Sequence, residues 1–242
     1  VLDEADEMLD MGFFVFFEEI FTYLPKERQT LLFSATMPDP IKKLATKILQ
    51  EPKFVSITPK DSTTNDDIEQ LYYVINEYER DDAMIRLLDS FEPEKSIVFC
   101  RTKKEVDRLS TQLMAVGYAA KGLHGDMEQN QRESVIKGFR SSQIEILVAT
   151  DVAARGLNVA DISHVFNYHM PFDPESYVHR IGRTGRAGKK GTAITLVTPI
   201  EFHSMQRIGK KVGSKMEHRL VPSLGDVKES KVNKPVKGHF AK

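Results

Sequence analysis

Arg180, Arg183 and Arg186 stand three apart within Tyr177-Val178-His179-Arg180-Ile181-Gly182-Arg183-Thr184-Gly185-Arg186-Ala187-Gly188. A guanidinium is planar, stays charged and donates in bidentate fashion. Three of them after a helical turn, among glycines that let the backbone come close to a ligand, suit a phosphate. An arginine reaching in from a second domain can neutralise the charge that develops during phosphoryl transfer. A solvated basic turn is the plainer account. A second cluster opens the chain, where Val1-Leu2 read as the end of a strand whose beginning is missing. They run into Asp3-Glu4-Ala5-Asp6, carboxylates at the carboxyl end of a strand, where open α/β sheets hold ligands. Asp3 suits magnesium held through its water shell, and Glu4 suits orienting or deprotonating an attacking water. An acidic helix start is the alternative, since carboxylates favour helix N-termini. Ser34-Ala35-Thr36 adds two hydroxyls able to bond the acidic cluster or a phosphate-linked network.

These residues need elements to position them. Phe13, Phe17, Ile20, Phe21 and Leu24 recur at helical spacing up to Pro25 and predict a core-facing stripe, widened by Phe14, Val15 and Phe16. The alternatives are a deeply buried helix and a docking surface. Gln29–Phe33 reads as a short buried strand, residues 41–49 as an amphipathic helix after Pro38 and Pro40, and Phe54–Ile57 as another strand. The polar stretch from Thr58 to Asp67 reads as a linker. Beyond it strands and helices alternate. Strands are expected at 71–74, 96–100, 118–123, 144–149, 164–168 and 192–197, and helices at 81–90, around Val106, Leu109 and Leu113, and at 129–139. That alternation implies a parallel sheet with helices on both faces. The polar residues after each strand then converge on one edge: Arg101 and Thr102, His124 and Gly125, Thr150, and Arg155, Gly156 and Asn158. Amides near Gly125 and Gly156, the hydroxyls of Thr102 and Thr150 and the charges of Arg101 and Arg155 could track a sugar-phosphate strand without reading its bases. Taken singly, each of these residues also reads as a helix cap or a solvated charge.

The 242 residues, 40% of them hydrophobic, are enough for one large domain or two smaller ones. A formal charge of -1 leaves nucleic-acid binding to local patches. From His203 to Lys242, ten lysines and arginines face three carboxylates, a net +7, and little periodicity remains after Pro222, so a basic, disordered tail is expected. The single cysteine, Cys100, falls on a buried strand and excludes an internal disulfide. The seven histidines show no metal-ligand spacing. The sequence shows no secretory signal and no membrane-spanning apolar run, which favours the cytoplasm or nucleus, and a cytoplasmic protein is expected.

In order, Asp3-Glu4-Ala5-Asp6, Ser34-Ala35-Thr36, Ile97-Val98-Phe99-Cys100-Arg101-Thr102, Ala149-Thr150-Asp151-Val152-Ala153-Ala154-Arg155-Gly156 and His179-Arg180-Ile181-Gly182-Arg183-Thr184-Gly185-Arg186 closely resemble the DEAD-box family of ATP-dependent RNA helicases over residues 1 to about 210. The resemblance implies an α/β fold of two RecA-like parallel-sheet domains that close over ATP and RNA. The first, residues 1–58, would be truncated on its N-terminal side. A linker at 59–67, a second domain at 68–210 and a basic tail at 211–242 would follow. It implies that Asp3 and Glu4 serve Mg2+ and water activation, that Ser34 and Thr36 couple hydrolysis to duplex opening, and that Arg183 and Arg186 approach the γ-phosphate. His179 would join the motif network between the domains, and Thr102, Gly125, Thr150 and Gly156 would lie along the RNA. Ribonucleoprotein or ribosome-assembly partners fit such a protein.

Asn158 stands where the family usually carries an aspartate implicated in contact with the nucleotide ribose, so coupling to nucleotide is expected to be weaker. No G-x-x-x-x-G-K-[ST] loop occurs in the sequence, and neither does the family's adenine-reading glutamine motif. Without that loop and its lysine the 242 residues alone are expected to hydrolyse ATP negligibly. Two other readings stand beside the helicase: a non-catalytic RNA-binding or regulatory module, which the retained Glu4, Arg183 and Arg186 oppose, and a DNA helicase of a related class.

Overall fold

The computed structural model describes residues 1–10, 14–56, 67–157, 159–186, 188–213 and 215–227. The chain divides into two compact units, Val1–Thr58 and Pro59–Lys242. In the first, Leu2 and Leu32 face each other in a parallel bridge. The Leu2 amide donates to the Leu31 carbonyl and the Phe33 amide to the Leu2 carbonyl, both at 2.8 Å. Three helices follow, α1 (Ala5–Asp10), α2 (Phe14–Thr22) and α3 (Asp39–Ile48). Pro40 sits in the first turn of α3, where a missing N–H costs nothing. Its Ile41 and Leu44 are buried together with Leu2 and Ala5.

Three expectations for this unit are corrected. Gln29–Phe33 forms a single bridge rather than a buried strand, and Leu31 and Phe33 are 42% and 54% exposed. Phe54–Ser56 is not a strand, with Phe54 and Val55 exposed, and Ile57 lies outside the described residues. Along α2 and the turn after it, Phe17 and Phe21 are half-buried while Phe16, Ile20 and Leu24 are exposed; Phe13 lies outside the described residues. An apolar pattern states only that a surface can be buried. Burial also needs a facing layer, and among the described residues of this unit the buried side is built around α3.

In the second unit the expected alternation becomes one sheet. The strands are β1 (Ile68–Val74), β2 (Ser96–Cys100), β3 (Ala120–Leu123), β4 (Ile146–Thr150), β5 (His164–Asn167), β6 (Gly191–Val197) and β7 (Glu217–His218). They lie in the order β3-β4-β2-β5-β6-β1-β7, and every pairing is parallel. The helices are α4 (Arg80–Phe91), α5 (Lys103–Ala115), α6 (Gln129–Arg140), α7 (Asp151–Ala154), α8 (Pro174–Ile181) and α9 (Phe202–Val212). Side chains alternate between the faces. Val98, Cys100, Val148, Phe166 and Ile194 pack with Leu87 of α4 and Leu109 of α5. Ile97, Phe99, Leu147 and Val165 pack with Val135 and Phe139 of α6. Ala193 and Val197 pack with Tyr177 of α8 and Ile208 of α9. With both faces covered the central strands are largely apolar, and β2 is buried at every position. Burial pushes the Cys100 thiol well above its ordinary range, as befits a core residue and not a nucleophile.

The expected boundary at residue 210 moves. Helix α9 runs to Val212, and Glu217–His218 adds to the sheet beside β1, so ordered elements continue into the stretch expected as tail. Residues 228–242 lie outside the described residues, as does the expected linker up to residue 66. Gly191 opens β6 because nothing larger fits. A β-carbon there would overlap Thr184 Oγ1 and stand 2.5 Å from the Gly185 amide nitrogen. Thr184 is pinned in turn, its Oγ1 lying 2.5 Å from the Ile162 carbonyl and 3.0 Å from that of Ser163.

Candidate functional site

In the first unit the acidic residues divide by exposure. Asp6 is only 4% exposed, and its Oδ2 accepts from both the amide and the hydroxyl of Thr36 at 2.6 Å, while its own amide donates to Ser34 Oγ at 3.1 Å. Ser34 and Thr36 are thus fastened to the acidic cluster through Asp6. Asp3 and Glu4 are exposed just past the bridge at Leu2. Glu4 has φ 52°, a left-handed conformation that costs a residue with a side chain about 1 to 2 kcal/mol, and its amide donates to Asp3 Oδ1 at 2.9 Å. Such strain is sustained only where surrounding bonds hold it, as the Ala5 amide on the Phe33 carbonyl at 3.1 Å does here. The result is two exposed carboxylates in a fixed turn, a donor set that suits a hydrated divalent cation.

In the second unit the strand-end residues gather at the carboxyl edge. Thr102 caps α5: its hydroxyl accepts from the Glu105 amide at 3.2 Å, and its amide donates back to Glu105 Oε2 at 3.0 Å. Glu105 Oε1 lies 2.7 Å from His169 Nε2, which ties the end of β2 to the loop after β5. His124 is nearly buried, its Nε2 2.9 Å from Asp107 Oδ1 and its carbonyl accepting from Arg132 at 3.3 Å. Gly125 faces the Lys103 stem, and Lys103 pairs with Asp126. Thr150, half-buried, starts α7. Past that helix come Arg155, half-buried, and Gly156, exposed at φ 67° with open space where a side chain would go. Asn158 lies outside the described residues.

The three arginines of the opening motif have three different environments. Arg180 is 3% exposed and saturated from within: Nε and Nη2 donate to the two Asp151 oxygens at 2.6 and 2.8 Å, and Nη1 to Asn167 Oδ1 at 3.2 Å and the His169 carbonyl at 2.9 Å. Its guanidinium also lies over the Phe99 ring. Arg183 is 8% exposed and donates to the Leu157 carbonyl at 3.3 Å. Arg186 is exposed, its Nε on the Gly182 carbonyl at 2.6 Å. His179 is half-buried on the same helix.

Sequence reasoning missed a buried network on this edge. Arg80, 1% exposed, donates to Glu77 Oε1 at 3.0 Å, to Glu201 Oε2 at 3.3 Å and to the Tyr168 carbonyl at 2.5 Å, and Arg101 donates to the other Glu201 oxygen at 2.6 Å. The Glu77/Arg80 spacing was the one local signal. The other partners lie 88 to 121 residues away along the chain. Burial pushes the Glu201 carboxyl up, but the Thr198 amide and the Arg80 and Arg101 guanidiniums outweigh it and hold it below the usual range.

Two imidazoles follow the opposite rule. Burial pushes His164 below the ordinary 6.5 against the pull of Glu69 and Glu94. Burial and the Arg80 charge do the same to His169 against Glu105. Both bind a proton less readily in the fold than in the unfolded chain, so the unfolded chain takes up protons first as the pH drops through about 6.5, and stability falls with it. The thermal midpoint of the second unit should hold steady above about pH 7 and decline between about pH 6.5 and 5, before the carboxylates titrate. A midpoint flat from pH 7.5 to 5 in a scanning calorimeter would contradict this.

With this geometry in hand, residues 79–188 match the helicase conserved C-terminal domain and residues 1–44 the DEAD/DEAH box helicase family. The DEAD-box ATP-dependent RNA helicase RhpA of Helicobacter pylori is 57% identical over 226 residues, covering 93% of this chain and 46% of that protein. Saccharomyces cerevisiae Dbp5, solved bound to RNA and ADP BeF3, superposes with a TM-score of 0.85 at 34% identity, over 96% of this chain and 62% of that one. The Escherichia coli DEAD-box protein SrmB, solved bound to the regulator of ribonuclease activity A, matches at 38% identity and a TM-score of 0.60, over 66% of this chain and 93% of that one. The chain spans about half the length of the curated relatives it matches. Its parallel sheet is a RecA-like one.

Proposed function

We propose that this chain, which belongs to the DEAD-box helicase family, is the part of a cytoplasmic ATP-dependent RNA helicase that grips one RNA strand by its backbone and completes the ATP site from the second unit. The observation that carries the reading is the Arg180 fork on Asp151. It fastens the helix bearing His179 and leading to Arg183 and Arg186 to the strand end bearing Thr150. Residues suited to a phosphodiester backbone and residues suited to a γ-phosphate therefore move as one body, and occupancy of one site biases the other. Asp3 would hold Mg2+ through water, and Glu4 would orient the attacking water. The exposed carboxylates fit that ion, which would supply charge neutralisation along the phosphates. Thr102, His124, Gly125, Thr150, Arg155 and Gly156 would line the RNA path, with Arg101 beside it. Closure on ATP would bend the gripped strand and open short duplexes locally, in a ribonucleoprotein or ribosome-assembly setting.

The chain itself should bind single-stranded RNA with little base preference. Its affinity should fall linearly on a log scale with salt, by a slope of about -0.7 per phosphate contacted. Its own ATP turnover should stay far below about 1 per second, since no phosphate-cradling loop occurs in its sequence. Fluorescence anisotropy across a salt series and a coupled ATPase assay read both. Affinity indifferent to salt would sink the RNA reading. RNA-stimulated turnover near that rate would sink the expected inactivity.

A further inference from the structure

Phe172, in the loop between β5 and α8, is 76% exposed, yet it is not a loose surface aromatic. The Arg101 guanidinium, just past β2, lies 5.0 Å from its ring centroid. That guanidinium is fixed by Glu201 Oε1 at 2.6 Å and by the Met170 carbonyl at 3.3 Å. Glu201 in turn accepts from the Thr198 amide at 3.0 Å and from the buried Arg80. One side of the ring is thus seated on a cation anchored in the fold, and most of the residue still faces water.

The place matters as much as the pair. Strands β2 and β5 are neighbours, and the chain leaves them in opposite directions, from β2 across β4 to β3 and from β5 outward to β6. That divergence is a topological switch point, the position in an open α/β sheet where ligands bind at the carboxyl edge. Thr102 and Lys103 directly follow Arg101 at the same strand end.

We propose that Phe172, backed by Arg101, is a stacking platform for one base of a single-stranded RNA. The proposal rests on the backbone-gripping reading above, because the strand held past β2, β3 and β4 is what supplies the base. An apolar side chain of a protein partner would also cover a ring. The planar guanidinium stacked behind the ring, and the place of the ring at the strand end beside Thr102 on the RNA path proposed above, favour a flat base instead. Stacking of this kind tolerates every base, so the platform adds affinity without sequence preference.

The test uses the whole chain and a labelled oligouridylate of about twelve nucleotides, within the range such grooves hold, beside the same oligomer made abasic. Phe172→Ala and Phe172→Leu should each weaken binding to the oligouridylate about tenfold, while Phe172→Tyr stays within twofold of the parent. On the abasic oligomer the parent and Phe172→Ala should bind alike. Phe172→Ala within twofold of the parent on oligouridylate overturns the platform and leaves the ring to a protein partner. An equal loss on both oligomers overturns it too, because Phe172 would then act on the backbone. If the parent binds no RNA at low salt, both the platform and the RNA reading fall; if it binds but ignores Phe172, only the platform does.

Discussion

Replacing Arg180 with alanine should destabilise the second unit by about 3 kcal/mol, a fall in thermal midpoint of roughly 6 to 12 °C. The side chain is 3% exposed and meets four partners: both Asp151 oxygens, the Asn167 amide oxygen and the His169 carbonyl. Truncation leaves Asn167, which is fully buried, without that donor. The expected figure sits at the low end for a broken buried pair because the Asp151 side chain is 38% exposed and can return to water. Arg180→Lys keeps the charge but loses the planar fork, and should recover less than half of the loss. Arg180→Met combined with Asp151→Asn removes both charges and should be less damaging than Arg180→Met alone, a non-additivity that a double-mutant cycle reads directly. Calorimetry showing Arg180→Ala within about 1 kcal/mol of the parent would mean the fork contributes no more than a surface pair.

The same residue shows how far the sequence could be read. The motif spacing marked Arg180, Arg183 and Arg186 alike as anion ligands. Nothing in a spacing of three distinguishes an arginine turned inward to an aspartate 29 residues earlier from one turned to solvent. The strands of the second unit were legible because both faces of its sheet are covered, which produces continuous apolar runs with turn residues between them. A helix cap was legible at Thr102, whose bonds with Glu105 three residues on are local chemistry. The Arg80–Glu201–Arg101 network was not, because its partners meet only once the sheet is assembled. In the first unit the pattern misled. Ile20 belongs to a helical apolar stripe, and Leu31 and Phe33 to an apolar run read as a buried strand; they are exposed here because an apolar face is buried only where another layer meets it.

Burial also separates the two arginines assigned to the γ-phosphate. In a chimera that supplies a phosphate-cradling loop ahead of residue 1, Arg186→Ala should lower RNA-stimulated kcat about a thousandfold, the lower bound for an arginine that neutralises transition-state charge. Its stability should change less than that of the buried arginines' variants, since Arg186 is exposed. Arg183→Ala should lose a comparable rate and, unlike Arg186→Ala, should also unfold more easily. Arg183 is 8% exposed and its guanidinium donates to the Leu157 carbonyl, and removing a buried donor costs about 1 to 3 kcal/mol. Arg186→Lys should rescue little, because a point charge cannot reproduce the fork that a tripodal phosphoryl group presents to. RNA affinity without nucleotide should be unchanged in all three, since that grip belongs to the strand ends and not to this turn. Single-turnover hydrolysis at saturating ATP and RNA, with a thermal midpoint for each variant, gives both axes. If Arg186→Ala stays within tenfold of the parent while Arg183→Ala is inactive and fully stable, the roles assigned by exposure are reversed, and Arg183 must leave Leu157 to reach the phosphate.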